Sequence, residues 1–339
     1  GGPAGADGKG QNGETDGVNG VESGDTAMGR YMESSQTLDI AEVTDLVMLS
    51  DGRLELLENG SEGRYISTDG GKTWEADILP GWQDLVMSSV VSDLKGAPDG
   101  TVALLCQDYQ SLRQSLGMDD EKESPEATGE GTGESPEDSA EKDGGKSPEP
   151  SGEEEAVELC MISPQGERRR FPVSVWKALS LFTLCFSEDG ERLFLSTGEG
   201  KVCEIDQETG ESRFLMQIDT MPDAFCVWEH YMAVKNEADG VFLYDLDTGE
   251  EIEDDVLSDF VAQNYQQDSG VVTSTYTIFP AEDGGIYLAG TKGLHRHVIG
   301  GAVMEQVING GLCSLSDPSK SLSVMTRTED DGFLAAFSG

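Results

Sequence analysis

The sequence predicts an all-β fold, a β-propeller of four-stranded antiparallel blades, and three observations carry that prediction. Short apolar or alternating runs are separated by turn residues, the pattern of half-buried strands. The chain holds 43 glycines but only 4 tryptophans, which suits many tight turns, and helical periodicity is nearly absent. A strand-turn meander also repeats about every 40 to 45 residues, the period of a four-stranded blade. Counting units over residues 30–339 gives six blades, with seven as the alternative: near 41–83, 87–176, 180–221, 223–265, 271–311 and an incomplete one at 312–339.

Residues 1–29 precede the first unit and contain mostly Gly, Asp, Asn, Glu and Ser, so a flexible acidic tether is expected there. Blade one opens with Asp45 to Ser50, the turn Asp51-Gly52, and Arg53 to Glu58. Blade two holds Thr101 to Asp108 and Val157 to Ser163 around an insertion at about 118–155. That insertion has 15 acids against 3 lysines and almost no large apolar residue, so it is expected to be disordered. Blade three has Leu181 to Ser187, the turn Asp189-Gly190, Arg192 to Ser196, Lys201 to Ile205 and Ser212 to Gln217. Blade four has Phe225 to Trp228, Tyr231 to Asn236, Val241 to Asp245 and a weaker outer segment. Blade five has Tyr276 to Ala281, Asp283-Gly284-Gly285 and Ile286 to Ala289. The last unit shows only Ser321 to Thr328 and Gly332 to Phe337. Its outer strands must come from elsewhere, with Tyr31 to Ile40 expected as an N-terminal strand closing the ring and removing open edges. The chain is also expected to continue past Gly339.

With 66 acids against 22 bases, the net charge of −44 excludes nucleic acid and anionic lipid, which need clustered Lys and Arg. It suits cations, basic partners or plain solubility. No run approaches the roughly 18 apolar residues of a membrane span. The cysteines Cys106, Cys160, Cys185, Cys203, Cys226 and Cys313 lack zinc or redox spacing and lie in apolar runs. Buried free thiols are expected, with a disulfide framework as the alternative.

Ser67-Thr68-Asp69-Gly70-Gly71-Lys72-Thr73-Trp74 matches the pattern Ser-x-Asp-x-Gly-x-Thr-Trp and so resembles the Asp-box of sialidases and related propellers. The resemblance implies a structural role for Ser67, Asp69, Gly71, Thr73 and Trp74, between the third and fourth strands of a blade. A sialidase would also need an arginine triad, and Arg168-Arg169-Arg170-Phe171-Pro172 is only a loose, mid-chain match to the Arg-Ile-Pro signature. Asp245 to Glu250 and Asp206 to Glu211 resemble non-catalytic blade turns of quinoprotein-like and lactonase-like propellers. Asp245-x-Asp247 is no calcium loop, because Val256 stands where the closing Glu belongs. His295 and His297 share one face of a strand, but the third histidine, His230, lies in another blade, so no metal site or cofactor is expected.

The tether, the single Asp-box and the blade turns together are similar to the N-terminal propeller of Gram-positive surface lipoproteins. Some of these continue into an extracellular solute-binding domain. The resemblance implies a monomeric extracellular or cell-surface protein held by an upstream lipid anchor. It would be a non-catalytic module binding an unknown glycan, peptide or protein domain, and would present or sense ligand for an attached domain. The alternative is a glycoside hydrolase or lyase with its site in the propeller channel.

Overall fold

The computed structural model describes residues 40, 43–60, 62–108, 157–173, 182–218, 222–236, 240–265, 276–281, 283–309, 321–328 and 332–338. Five four-stranded antiparallel sheets follow one another along the chain. They comprise β1 (Val43–Met48), β2 (Leu54–Glu58), β3 (Arg64–Ser67) and β4 (Glu75–Ala76), then β5 (Ser89–Gly96), β6 (Val102–Asp108), β7 (Val157–Ile162) and β8 (Arg168–Val173). The third holds β9 (Phe182–Phe186), β10 (Leu193–Thr197), β11 (Lys201–Ile205) and β12 (Ser212–Gln217), and the fourth β13 (Ala224–Trp228), β14 (Tyr231–Asn236), β15 (Gly240–Asp245) and β16 (Glu251–Ile252). The fifth holds β17 (Tyr276–Ala281), β18 (Gly285–Gly290), β19 (Gly293–Val298) and β20 (Met304–Asn309), and a final sheet has two strands, β21 (Ser321–Arg327) and β22 (Phe333–Ser338). The first strands of successive sheets contact one another in sequence, and β21 contacts β1, so the sheets surround a common axis. The chain is a β-propeller.

The expected count of six blades, or seven, is corrected to five. The sixth unit has the two strands its sequence showed and is not a four-stranded blade among the described residues. The tether, the acidic insertion and the strand proposed at Tyr31 to Ile40 lie outside the described residues, except that Ile40 is in no strand.

The turns explain the spacing. Asp283 and Gly284 both adopt positive φ, 63° and 69°, the geometry that a tight hairpin of right-twisted strands demands. Buried residues lie mainly between blades. Leu159 and Met161 of blade two pack with Leu184 and Leu193 of blade three, and Phe194 of blade three packs with Val227 and Met232 of blade four. Second strands bury both faces, so β2, β10 and β18 are buried at every residue.

Among the described residues, two helices depart from the purely β expectation. Helix α1 (Trp82–Ser88) lies between blades one and two, where Trp82 is fully buried and its indole N–H donates to the Gly60 carbonyl at 2.8 Å. Helix α2 (Asp255–Asn264) lies between blades four and five, and Leu257 and Val261 are its buried residues. Its Asp254 cap is bound three ways. Oδ1 accepts from the Leu257 amide at 3.0 Å, while Oδ2 accepts from the Gly300 amide at 2.9 Å and meets His297 Nε2 at 2.8 Å. Burial raises the Asp254 pKa, but the two amides and His297 outweigh it and hold the carboxyl below its usual value. The stability it confers is therefore present above the unfolded pKa and lost as pH falls through the folded one. Asp254→Ala is expected to cost about 3 kcal/mol, because it removes a helix cap and strands a buried imidazole. Denaturant unfolding at neutral pH measures this directly.

Candidate functional site

The inner strands of the first two blades carry a polar cluster in an otherwise apolar wall. β1 has a register shift between Val43 and Asp45, and β5 has one between Val91 and Asp93. Such a bulge re-aims the side chains beside it, and each of these aspartates reaches the neighbouring blade. Asp45 accepts from the Gly96 amide at 2.9 Å. Asp93 accepts from the Leu94 amide at 2.9 Å and the Leu184 amide at 2.6 Å. Lys95 donates back to the Thr44 carbonyl at 3.2 Å. Blade one is thus tied to blade two, and blade two to blade three.

Burial opposes the Lys95 ammonium, but the Asp45 and Asp93 carboxylates outweigh it and raise its pKa. Burial raises the Asp93 carboxyl, with Lys95 and the two amides opposing. Nearby, burial lifts the Cys185 thiol to about 12, which leaves it a poor nucleophile. The five described cysteines, Cys106, Cys160, Cys185, Cys203 and Cys226, are free thiols; Cys313 lies outside the described residues. An acid-base cluster beside the axis is what an enzyme of this fold would need. Here its hydrogen bonds go to backbone groups of adjoining strands, which makes it an inter-blade staple.

Glu55 stands beside this cluster on β2, with a fully buried side chain. Its Oε2 is 3.5 Å from Arg64, which also holds Asp77 at 2.8 Å, whereas Oε1 has no hydrogen-bond partner among the described residues. Burial pushes its pKa up to about 8 against the pull of Arg64, and Asp45 and Asp77 add to the rise.

The residues singled out in the sequence are dispersed. The Ser67 to Trp74 turn joins β3 to β4, with Asp69 as its hub: it accepts from the Thr73 amide at 2.8 Å, the Thr73 hydroxyl at 2.7 Å and the Ser67 hydroxyl at 2.9 Å. The Thr73 amide leads the causes that bring its pKa down to about 2. Trp74 donates to the Gly71 carbonyl at 3.1 Å. Arg168, Arg169 and Arg170 occupy the outer strand β8, where Arg168 donates to the Gly81 carbonyl and Arg170 pairs with Glu158. Asp206 and Asp245 each accept two amides of their own turns. His297 has the Val303 carbonyl at Nδ1 and Asp254 at Nε2, so neither nitrogen is open to a metal. His295 contacts Phe260, and burial lowers its pKa.

Sequence reasoning missed Asp45, Glu55, Asp93, Lys95 and Asp254. A usable signal was the Asp-Leu pair recurring at one blade position, Asp45-Leu46 and Asp93-Leu94, where a charge interrupts an inner strand.

A second feature follows from the meander. First and third turns of every blade emerge at the same end, and the first turns, nearest the axis, expose Asp51, Asp99, Glu188, Asp189, Glu229 and Asp283. Burial, then Glu229 and Asp189, raise the Glu188 carboxyl, with Arg327 opposing.

No family model and no curated protein matches the chain. Solved structures resemble it at low identity. A luciferin-regenerating enzyme aligns at TM-score 0.42 and 13% identity, over 81% of this chain and 82% of that one. An inferred gluconolactonase aligns at 0.40 and 16%, over 80% and 76%. A chain of a nidogen/laminin complex aligns at 0.38 and 10%, over 63% of this chain and 64% of its own length, less than two thirds. Among the described residues no helix is long and apolar enough to cross a membrane.

Proposed function

We propose that the chain is a non-catalytic extracellular binding module that uses the acidic turn end of its propeller to hold a basic partner, and that the Ser67 to Trp74 turn is a structural Asp-box. The observation carrying the reading is the division of labour among charges. The acids and lysine on the inner strands bond to backbone, while the acids of the first turns are exposed around the axis. Exposed carboxylates of one sign concentrate cations and speed encounter with basic surfaces. Presentation of ligand to an attached domain is the role this module would serve at a cell surface.

Titration with a fluorescent oligolysine probe tests the reading. Glu188→Lys with Glu229→Lys is expected to weaken binding about tenfold, or ~1.4 kcal/mol. Glu199→Lys, in the second turn of blade three at the opposite end, makes the charge change of either single substitution and should leave binding within twofold. Equal losses in both variants, or turnover of lactone or glycoside substrates, would sink the proposal.

A further inference from the structure

The third turn of blade five differs in chemistry from those of the other complete blades. The turns joining β3 to β4, β7 to β8, β11 to β12 and β15 to β16 each carry a carboxylate, such as Asp69, Glu167, Asp206 and Asp247. Asp69, Asp206 and Asp245 hold their own turns by accepting amides. Between β19 and β20 the chain reads Ile299-Gly300-Gly301-Ala302-Val303, with no polar side chain.

This turn is held from outside itself. The Gly300 amide donates to the Asp254 cap of α2 at 2.9 Å, and His297 Nδ1 meets the Val303 carbonyl at 3.0 Å. The Gly301 amide donates to the Val298 carbonyl at 2.8 Å, and a Cβ on Gly301 would meet that same oxygen at 2.7 Å, so glycine is required there. Ile299 and Met304 pack against the core between blades four and five. None of these contacts uses the side chains of Val298, Ala302 or Val303, which are exposed, Val303 by 70% and Val298 by 37%. Turn chemistry favours polar side chains at such positions. In a chain of net charge −44, an apolar tip on a fixed backbone marks a contact surface.

Position selects the partner. First and third turns share one end, so the valines stand at the end that exposes Asp51, Asp99, Glu188, Asp189, Glu229 and Asp283. Two strand spacings, about 10 Å, separate the first turn of blade five from its third, and a helix with its side chains is about as wide. Resting on the acidic docking end proposed above, we infer that the basic partner docks as an amphipathic helix. Its lysines or arginines face the acids of the first turns, and its apolar side chains cover Val298, Ala302 and Val303. The same acids repel an anionic lipid surface, and a second copy of the chain would bring its own net charge of −44.

Two synthetic peptides of equal length and charge provide the test, one with leucines and lysines on opposite faces of a helix and one with alanine at every leucine. The full chain is expected to bind the leucine peptide at least tenfold more tightly than the alanine peptide. Val298→Ser with Val303→Ser should reduce that preference to within threefold while oligolysine affinity stays within twofold of the parent. Should the double variant unfold early, Val303→Ser alone, at a largely exposed side chain, decides by the same ratio. No preference for leucine, or a preference that survives the substitutions, with oligolysine still bound, would overturn the amphipathic partner and spare the acidic docking end. If no basic peptide binds, both fall. Adsorption to phosphatidylcholine vesicles, or self-association, that disappears in the Ser variants would assign the turn to a lipid surface or a second copy and would equally overturn the helical partner.

Discussion

Glu55→Gln is expected to stabilise the protein by about 2–4 kcal/mol at pH 9 and to change it little at pH 4. The folded-state pKa is about 8, against 4.5 for the free side chain. Between those values the folded protein keeps a proton that the unfolded chain releases, so stability falls as pH rises through that window and levels off above it. The full shift corresponds to about 5 kcal/mol; the lower figure allows for relaxation around the buried carboxylate and for the Arg64 contact. Gln keeps the side-chain shape and the acceptor facing Arg64 without the ionisation. Because 66 acids also repel one another more as pH rises, the informative quantity is the difference between variant and parent. Chemical unfolding of both proteins from pH 4 to 9 gives that difference, and parallel curves would mean that Glu55 is already charged.

Glu55 also shows where sequence reading stops. Arg53 to Glu58 was legible as a strand because a turn precedes it and leucines fill it. What that reading lacked was position within the blade. A second strand is covered on both faces, so a residue that alternation assigns to solvent is enclosed by the neighbouring blade, here beside Gly96. The same limit hid Asp45, Asp93 and Lys95, whose partners lie on adjoining inner strands about 50 to 90 residues away in sequence. Local turn chemistry was easier to see. The Asp283-Gly284 and Asp189-Gly190 turns stand where Asp and Gly supply the required backbone geometry. Helix α2 was missed although Leu257, Phe260 and Val261 give helical spacing after the Asp254 cap, because the blade period suggested an outer strand there. The sixth unit was over-counted for the same reason: period signals a repeat but does not guarantee four strands.

Lys95→Met tests whether the inner-strand cluster is a staple. The substitution keeps the length of the stem and removes the ammonium, leaving Asp45 and Asp93 facing each other across the seam. Breaking a buried charge set from one side costs about 3–5 kcal/mol, and partial access to solvent at the axis should reduce this to about 2–3 kcal/mol. Adding Asp93→Asn should then recover part of the loss, because it removes the facing charge, although the one amide oxygen can accept from only one of Leu94 and Leu184, which bond to different carboxylate oxygens. Asp93→Asn alone should cost less than Lys95→Met, since it leaves Lys95 with Asp45. A double-mutant cycle by denaturant unfolding separates these contributions. Additive losses would show that Lys95 and Asp93 act independently, and the cluster would then reduce to separate backbone contacts. Coupling above about 1 kcal/mol would identify Lys95 and Asp93 as one electrostatic unit on β5, the strand that bonds to blades one and three.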